Sequence, residues 1–270
     1  MVETPRLIAS DVDGTLLGPD ERVSPRTAAA VRRAGAAGVP LVLVTGRPPR
    51  WLHEVARAAG TTGLAVCANG AVLYDIGADR VLWTRTLDPV RLADLAHELD
   101  HLMPGSTVAA ERVPESPGST LAPFVAEHAY RHAWAFSDHH ARDRAEVLGH
   151  PAVKLLVRHP GMTSGEMARA LAPLAGDDVC VTYSTDAGLI ELSARAVTKA
   201  TGLADAAQRL GVEAADVVAF GDMPNDVPML RWAGHGVAMA NGHPEVLAVA
   251  DEVTASHSED GVALVLERWF

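Results

Sequence analysis

The first third of the chain alternates short apolar runs with helix signals, and this alternation limits the fold more than any other feature. Leu7-Ile8-Ala9-Ser10, Leu41-Val42-Leu43-Val44 and the run Leu64–Ala68 have the length and continuity of strands buried on both faces. They predict strands over Arg6–Asp11, Pro40–Thr45 and Leu64–Ala68. Between them lie two helix patterns. Pro25–Ala37 is opened by Ser24 as cap with Pro25 at the first helical position and is ended by Gly38; Pro48–Ala59 is the second. Asn69-Gly70 is a strong turn signal, and Ala71–Tyr74 with Val81–Arg85 predict a short hairpin around it. A βαβαβ order implies a parallel, doubly wound α/β sheet.

The last third resumes the pattern. It predicts a helix over Lys199–Leu210 ended by Gly211, a strand over Val217–Phe220 and a short helix over Val227–Ala233. A strand over Gly236–Met239 and helices over Pro244–Ala250 and Gly261–Trp269 follow. The middle is different. It reads as a helix (Pro89–Leu102), a strand (Thr107–Glu111), a helical stretch near Ala122–Trp134, a strand (Val153–His159), a helix (Ser164–Ala175) and a strand (Val179–Tyr183). Joints rich in Pro, Gly and Ser, such as 114–119, separate them. The expected organisation is a core domain over 1–87 and 185–270, with an inserted α+β domain over 88–184.

Composition narrows the partners. Thirty-four acidic against 23 basic residues give a formal net charge of -11, which argues against nucleic acid or anionic membrane as a partner. A small anionic substrate is still allowed, because a local cation overrides the global sign. Cys67 and Cys180 lie in apolar runs and read as buried, reduced thiols. The N-terminal residues lack the apolar stretch of a signal peptide, and no window approaches the ~20 apolar residues that span a bilayer. The chain therefore reads as soluble and cytoplasmic. Nothing in the sequence sets an oligomeric state.

Four polar clusters fall at ends of predicted strands or at the helix starts that follow. They are Asp11-Val12-Asp13-Gly14-Thr15-Leu16, Thr45-Gly46-Arg47, Val197-Thr198-Lys199, and Gly221-Asp222-Met223-Pro224-Asn225-Asp226. In a doubly wound sheet such loops converge on one crevice. On an extended backbone Asp11 and Asp13 face the same way, and two close carboxylates call for a cation, a shared proton, or both. Phosphoryl transfer needs a nucleophile, charge neutralisation on the equatorial oxygens and a proton donor for the leaving oxygen. Asp11 is the expected nucleophile, forming an aspartyl-phosphate, and Asp13 the expected acid and base. Thr45 offers a hydroxyl, and the backbone after it offers amides for an anion. Gly46, Arg47 and Asn69 are counted with Thr45, Lys199 and Asn225 among the expected substrate contacts. Lys199 is the fixed positive charge, and Asn225 and Asp226 would orient it or the metal's waters. Mg²⁺ suits such an all-oxygen site, with Asp11 and Asp222 as its carboxylates and Asp13 and Asp226 as further candidates. His139-His140 with Asp143 reads as solvated rather than metal-binding. Trp51, Met223, Met229 and Met239 read as packing residues.

Taken in order, these motifs resemble the haloacid dehalogenase superfamily, in its Cof-type sugar-phosphatase branch. That branch carries DxDGTL, a Ser/Thr-Gly-Arg motif, a lysine and GDxxND, with a large α/β cap between the second and third. The resemblance extends to Asn69-Gly70-Ala71 and to Glu259-Asp260-Gly261-Val262-Ala263. Family members often flank the lysine with glycines, where this chain has Ala196-Val197-Thr198 and Ala200. The resemblance implies Mg²⁺-dependent hydrolysis of a small phosphorylated metabolite, such as a sugar phosphate, through an aspartyl-phosphate. It also implies a cap whose closure excludes water and contacts the leaving group. Other readings are a dedicated phosphatase of one biosynthetic sugar phosphate (sucrose-phosphate or mannosyl-phosphoglycerate type), a phosphomutase of the same fold, and a non-catalytic phospho-acceptor or binding module.

Overall fold

The structure is a computed structural model that describes residues 3–114, 120–132, 138–174 and 179–270. It divides into two compact units, Met1–Trp83 with Thr198–Phe270, and Thr84–Val197.

The first unit begins with β1 (Leu7–Ser10), α1 (Pro25–Ala36), β2 (Leu41–Val44), α2 (His53–Ala59), β3 (Leu64–Cys67), β4 (Val72–Asp75) and β5 (Arg80–Thr84). Every residue of β1 and β2 is buried, as their unbroken apolar runs require. The Ser24 hydroxyl caps α1 by accepting from the Thr27 amide at 3.0 Å. The helix expected over Pro48–Ala59 is interrupted. A 3₁₀ turn, Pro49–Trp51, comes first, and α2 starts only at His53. Pro48 and Pro49 have no amide hydrogens and fix their own φ, so this start favours a turn before the helix.

The second unit contains α3 (Pro89–Leu102), β6 (Thr107–Glu111), β7 (Phe124–Glu127), β8 (His140–Arg142), α4 (Arg144–Leu148), β9 (Lys154–Arg158), α5 (Ser164–Ala170), β10 (Val179–Thr182) and β11 (Leu189–Ala194). Its sheet runs β10-β11-β9-β6-β7-β8. Leu92, Leu95 and Leu99 of α3 pack with Val108, Leu155, Val157 and Ile190 from the strands in one core cluster. The stretch near Ala122–Trp134, expected to be helical, instead holds the strand β7 over Phe124–Glu127, followed by a turn at 128–129. Val125 pairs with Ala110 of β6, and Phe124, Val125 and Ala126 are all buried. An aromatic and a β-branched residue gain more from this paired, covered position than the local alanine pattern gives a helix. Residues 115–119 of the joint, Trp134 and Ala175 lie outside the described residues. The expected cut at Ser184 falls before β11, whose backbone pairs with β9 and β10.

The chain returns to the first unit with α6 (Lys199–Leu210), β12 (Val217–Gly221), α7 (Val227–Trp232), β13 (His235–Met239), α8 (Pro244–Leu247), β14 (Glu252–Thr254) and α9 (Gly261–Leu266). One eight-stranded sheet results, ordered β14-β13-β12-β1-β2-β3-β4-β5. The pairs from β14 through β3 are parallel, and β4 runs antiparallel to β3. The fold is thus a doubly wound α/β core with a separate α+β sheet. Strand order proceeds outward from β1 in one direction and from β12 in the other. Such a switch point opens a crevice at the carboxyl ends of those strands.

Candidate active site

The loops after β1, β2, β3 and β12 and the start of α6 carry the site. Asp11 follows β1, and its amide donates to the Phe220 carbonyl of β12 at 3.0 Å, which ties the two strand ends together. The next residues leave the strand. Asp13 is extended (φ -83°, ψ 120°) and Gly14 is left-handed (φ 79°). Glycine is required at 14 for two reasons. Its φ is unfavourable for other residues, and a Cβ there would collide with the Asp222 carboxylate. The turn aims Asp11 and Asp13 at different partners.

Lys199 opens α6 and is almost fully buried. Its Nζ donates to Asp11 Oδ1 and to Asp226 Oδ1, each at 2.6 Å. The glycine turn after β3 makes room for this helix start, since a Cβ on Gly70 (φ +103°) would strike the Thr198 carbonyl. With Ala196 at φ 57° and Ala200 after it, Lys199 reaches both carboxylates. Asp226 uses its second oxygen as well, with Oδ2 accepting from the amides of Asp222 (3.0 Å) and Met223 (2.9 Å). Asp222 Oδ1 accepts from the Thr15 hydroxyl at 2.8 Å. Asp11, Asp222 and Asp226 each place a carboxylate oxygen within 4.8 Å of the others, the one such trio of metal-ligating types among the described residues. His139, His140 and Asp143 form no such group.

The electrostatics of the cluster follow from burial. Burial raises Asp11 well above the usual carboxylate range; Lys199 opposes that rise, and Asp226, Asp222 and Asp13 add to it. Asp222 is pushed up to about 7, first by burial and then by Asp226, with the Thr15 hydrogen bond pulling the other way. Burial lowers Lys199, but Asp11 and Asp226 more than offset it, so the ammonium is held charged. Lys199 thus bridges two of the three buried carboxyl groups, Asp11 and Asp226, while Asp222 is held by Thr15.

Asp13 lies apart from this trio. Arg47 grips it with both ends of its fork, Nε to Oδ2 at 2.9 Å and Nη2 to Oδ1 at 2.5 Å. The pair is half open to solvent, with side-chain exposures of 22% for Arg47 and 56% for Asp13. Thr45 is buried at the end of β2, where its hydroxyl accepts from the Arg47 amide at 3.0 Å. Gly46 follows, and a Cβ there would press on Asn69 Oδ1 at 3.1 Å. Asn69 is buried in the turn after β3, and its Oδ1 accepts from Asn225 Nδ2 at 3.1 Å. Asn225 Oδ1 is buried without a protein partner. Two structural contributors have no role in the sequence reading. Thr15 fixes Asp222. Asn241 donates to the Gly14 carbonyl at 2.9 Å from a loop whose only sequence signal is the Asn-Gly pair at 241–242.

The profile of the haloacid dehalogenase-like hydrolases matches residues 8–266. A 5-amino-6-(5-phospho-D-ribitylamino)uracil phosphatase of Bacillus subtilis (strain 168) is 30% identical over 98% of this chain and 95% of its own. A pyridoxal phosphate phosphatase of Escherichia coli (strain K12) is 28% identical over 96% and 97%. The solved structure of a sugar phosphatase of haloacid dehalogenase subclass IIB superposes with a TM-score of 0.82 at 21% identity, covering 98% of both chains. The chain belongs to the haloacid dehalogenase-like hydrolases, in their Cof-type branch, and is a phosphomonoester hydrolase.

Proposed function

We propose that the protein hydrolyses small phosphorylated metabolites in two steps on Asp11, with Asp13 as the proton carrier. The observation that carries this is the buried Asp11–Lys199–Asp226 chain beside Asp222, at the carboxyl ends of β1 and β12. In the first step a carboxylate oxygen of Asp11 forms a bond to phosphorus as the bond to the leaving alcohol breaks. Asp13, protonated, gives its proton to that alcohol. In the second step Asp13 takes a proton from a water whose oxygen attacks the aspartyl-phosphate, releasing inorganic phosphate and restoring Asp11. Lys199 fixes the plane of the Asp11 carboxylate and places a positive charge beside the reacting oxygens. Thr45, Gly46, Arg47, Asn69, Lys199 and Asn225 are the expected substrate contacts, and Asn225 Oδ1, buried without a partner, can accept from a substrate hydroxyl or a water.

The donor set fits Mg²⁺. It consists of oxygen only and is buried, and burial raises the Asp11 and Asp222 carboxyl groups, a shift that a cation there would oppose. Asp11 and Asp222 would hold the ion. Asp226, with both oxygens taken up by Lys199 and two amides, would stand behind them, and Asp13, held by Arg47, would stand outside. When bound, Mg²⁺ supplies charge neutralisation on the transferring phosphoryl group. Arg47 has a task of its own: its two-point grip keeps Asp13 from the leaving group until the pair opens, and a phosphate dianion is a fitting competitor for the guanidinium.

The named substrates of the relatives, a phosphorylated ribitylaminouracil and pyridoxal phosphate, support a metabolite of sugar-phosphate size. The test is hydrolysis of p-nitrophenyl phosphate and a sugar-phosphate panel with and without Mg²⁺, by the natural protein and by Asp11→Asn. Chelation and the substitution should each abolish turnover. Activity that survives both contradicts the reading.

A further inference from the structure

Helix α3 of the second unit carries His97-Glu98-Leu99-Asp100-His101, two histidines four residues apart with a glutamate between them. The helix buries Leu92, Leu95, Ala96 and Leu99 on one side. Asp94, His97, Glu98 and His101 are all exposed, and their spacing of three and four residues places them in one stripe along the opposite side. The two imidazoles already converge, with Nε2 to Nε2 at 3.2 Å and ring centroids 4.6 Å apart.

We infer that His97 and His101 form a chelate for a divalent transition metal, of the Zn²⁺, Cu²⁺ or Ni²⁺ class. The distance is the first ground. Two nitrogens each about 2.0–2.1 Å from one ion lie about 2.9 Å apart at a right angle and about 3.3 Å apart at a tetrahedral one, so 3.2 Å falls between. The second is pre-organisation. A 14-residue helix with a capped start, Asp88 accepting from the Arg91 amide at 2.9 Å, holds both side chains one turn apart before any ion arrives. The third is ligand type. Imidazole nitrogen favours these metals over Mg²⁺ and Ca²⁺, which take oxygen, so the pair does not compete for the ion suited to Asp11 and Asp222.

Without metal, one ring donates its Nε2–H to the other's Nε2. With metal, both rings carry their proton on Nδ1 and both Nε2 lone pairs meet the ion, so protons and metal compete for the site. Two protein nitrogens leave the remaining positions to water. Asp94 and Glu98 add negative charge along the same stripe. The result is an exchangeable surface site rather than a closed structural one.

The test is calorimetric titration of the full chain with Zn²⁺ in excess Mg²⁺, comparing the natural protein, His97→Ala, His101→Ala and the double substitution. All four should fold alike, since both side chains are exposed. Each single substitution should weaken the site at least tenfold, and the double one should remove it, leaving only uptake by the other histidines. Zn²⁺ should raise the melting temperature of the natural protein and not that of the double variant. Cu²⁺ bound by the natural protein should show imidazole nitrogen coupling in its electron paramagnetic resonance spectrum. Equal Zn²⁺ affinity and stoichiometry in the natural protein and the double variant, including no uptake by either, would overturn the inference.

Discussion

Replacing Lys199 by methionine keeps the volume of the side chain and removes its charge. The ammonium serves two carboxylates at 2.6 Å, and neither Lys199 nor Asp226 is more than 1% exposed. Losing one partner from a buried ion pair typically costs about 3–5 kcal/mol, because the remaining charge is left uncompensated. For a unit of this size that is on the order of 10 °C in melting temperature. The deficit should depend on pH in a definite direction. Asp11 is already raised by burial, and Lys199 is the group that restrains the rise. A carboxylate whose folded pKa lies above its unfolded value destabilises the fold above that folded pKa, and the penalty fades as pH falls through it. Without Lys199, Asp11 rises further and protonates more readily. The methionine variant should therefore show a larger deficit at pH 8 than at pH 5. Asp226→Asn in the same background removes one of the stranded charges and should recover part of the stability, while turnover stays down by at least a factor of about 10². Thermal melts of the metal-free protein at the two pH values, followed by circular dichroism, are the assay. A deficit below about 1 kcal/mol, or one unchanged across that range, would refute the electrostatic account of this cluster.

Other outcomes follow from the same geometry. Asp11→Asn should lower turnover by several orders of magnitude with the fold retained, checked by steady-state kinetics beside circular dichroism. Mg²⁺ competes with the protons that burial favours on Asp11 and on Asp222, the latter pushed up to about 7, so calorimetric Mg²⁺ affinity should rise as pH passes through that value. Arg47→Ala frees Asp13 and removes a phosphate-binding charge, so KM should rise more than kcat falls; Arg47→Lys should not restore the two-point grip. A Gly/Ser linker in place of Thr84–Val197 should leave a folded first unit, because Leu7, Val42, Val66, Leu203, Ala219 and Ala238 cluster without residues from the excised segment, and limited proteolysis would show whether it does.

The core was legible because its signals are local. Four-residue apolar runs became β1 and β2 almost to the residue, and Ser24 and Gly211 bound their helices through a cap and a left-handed turn. The Asp11 and Asp222 loops converge because parallel strands deliver their carboxyl ends to one edge, and the start of α6 brings Lys199 to them. What was not legible depends on tertiary pairing. Phe124–Glu127 is a strand because β6 lies beside it, and Leu189–Ala194 and Glu252–Thr254 are strands because of the neighbours they reach. The grip of Arg47 on Asp13 joins residues 34 positions apart, and the Thr15 bond to Asp222 spans 207, so no window of sequence displays either.

Covalent phosphorylation of Asp11 is the claim on which the rest depends. Rapid mixing of the protein and Mg²⁺ with a phosphomonoester labelled in its phosphate, quenched in acid and digested, reads it out directly. The account predicts hydroxylamine-labile label on the peptide containing Asp11, appearing within one turnover and missing from Asp11→Asn. Turnover with no protein-bound label at any quench time, and product phosphate showing a single inversion at phosphorus, would mean that water attacks the substrate directly and would contradict it.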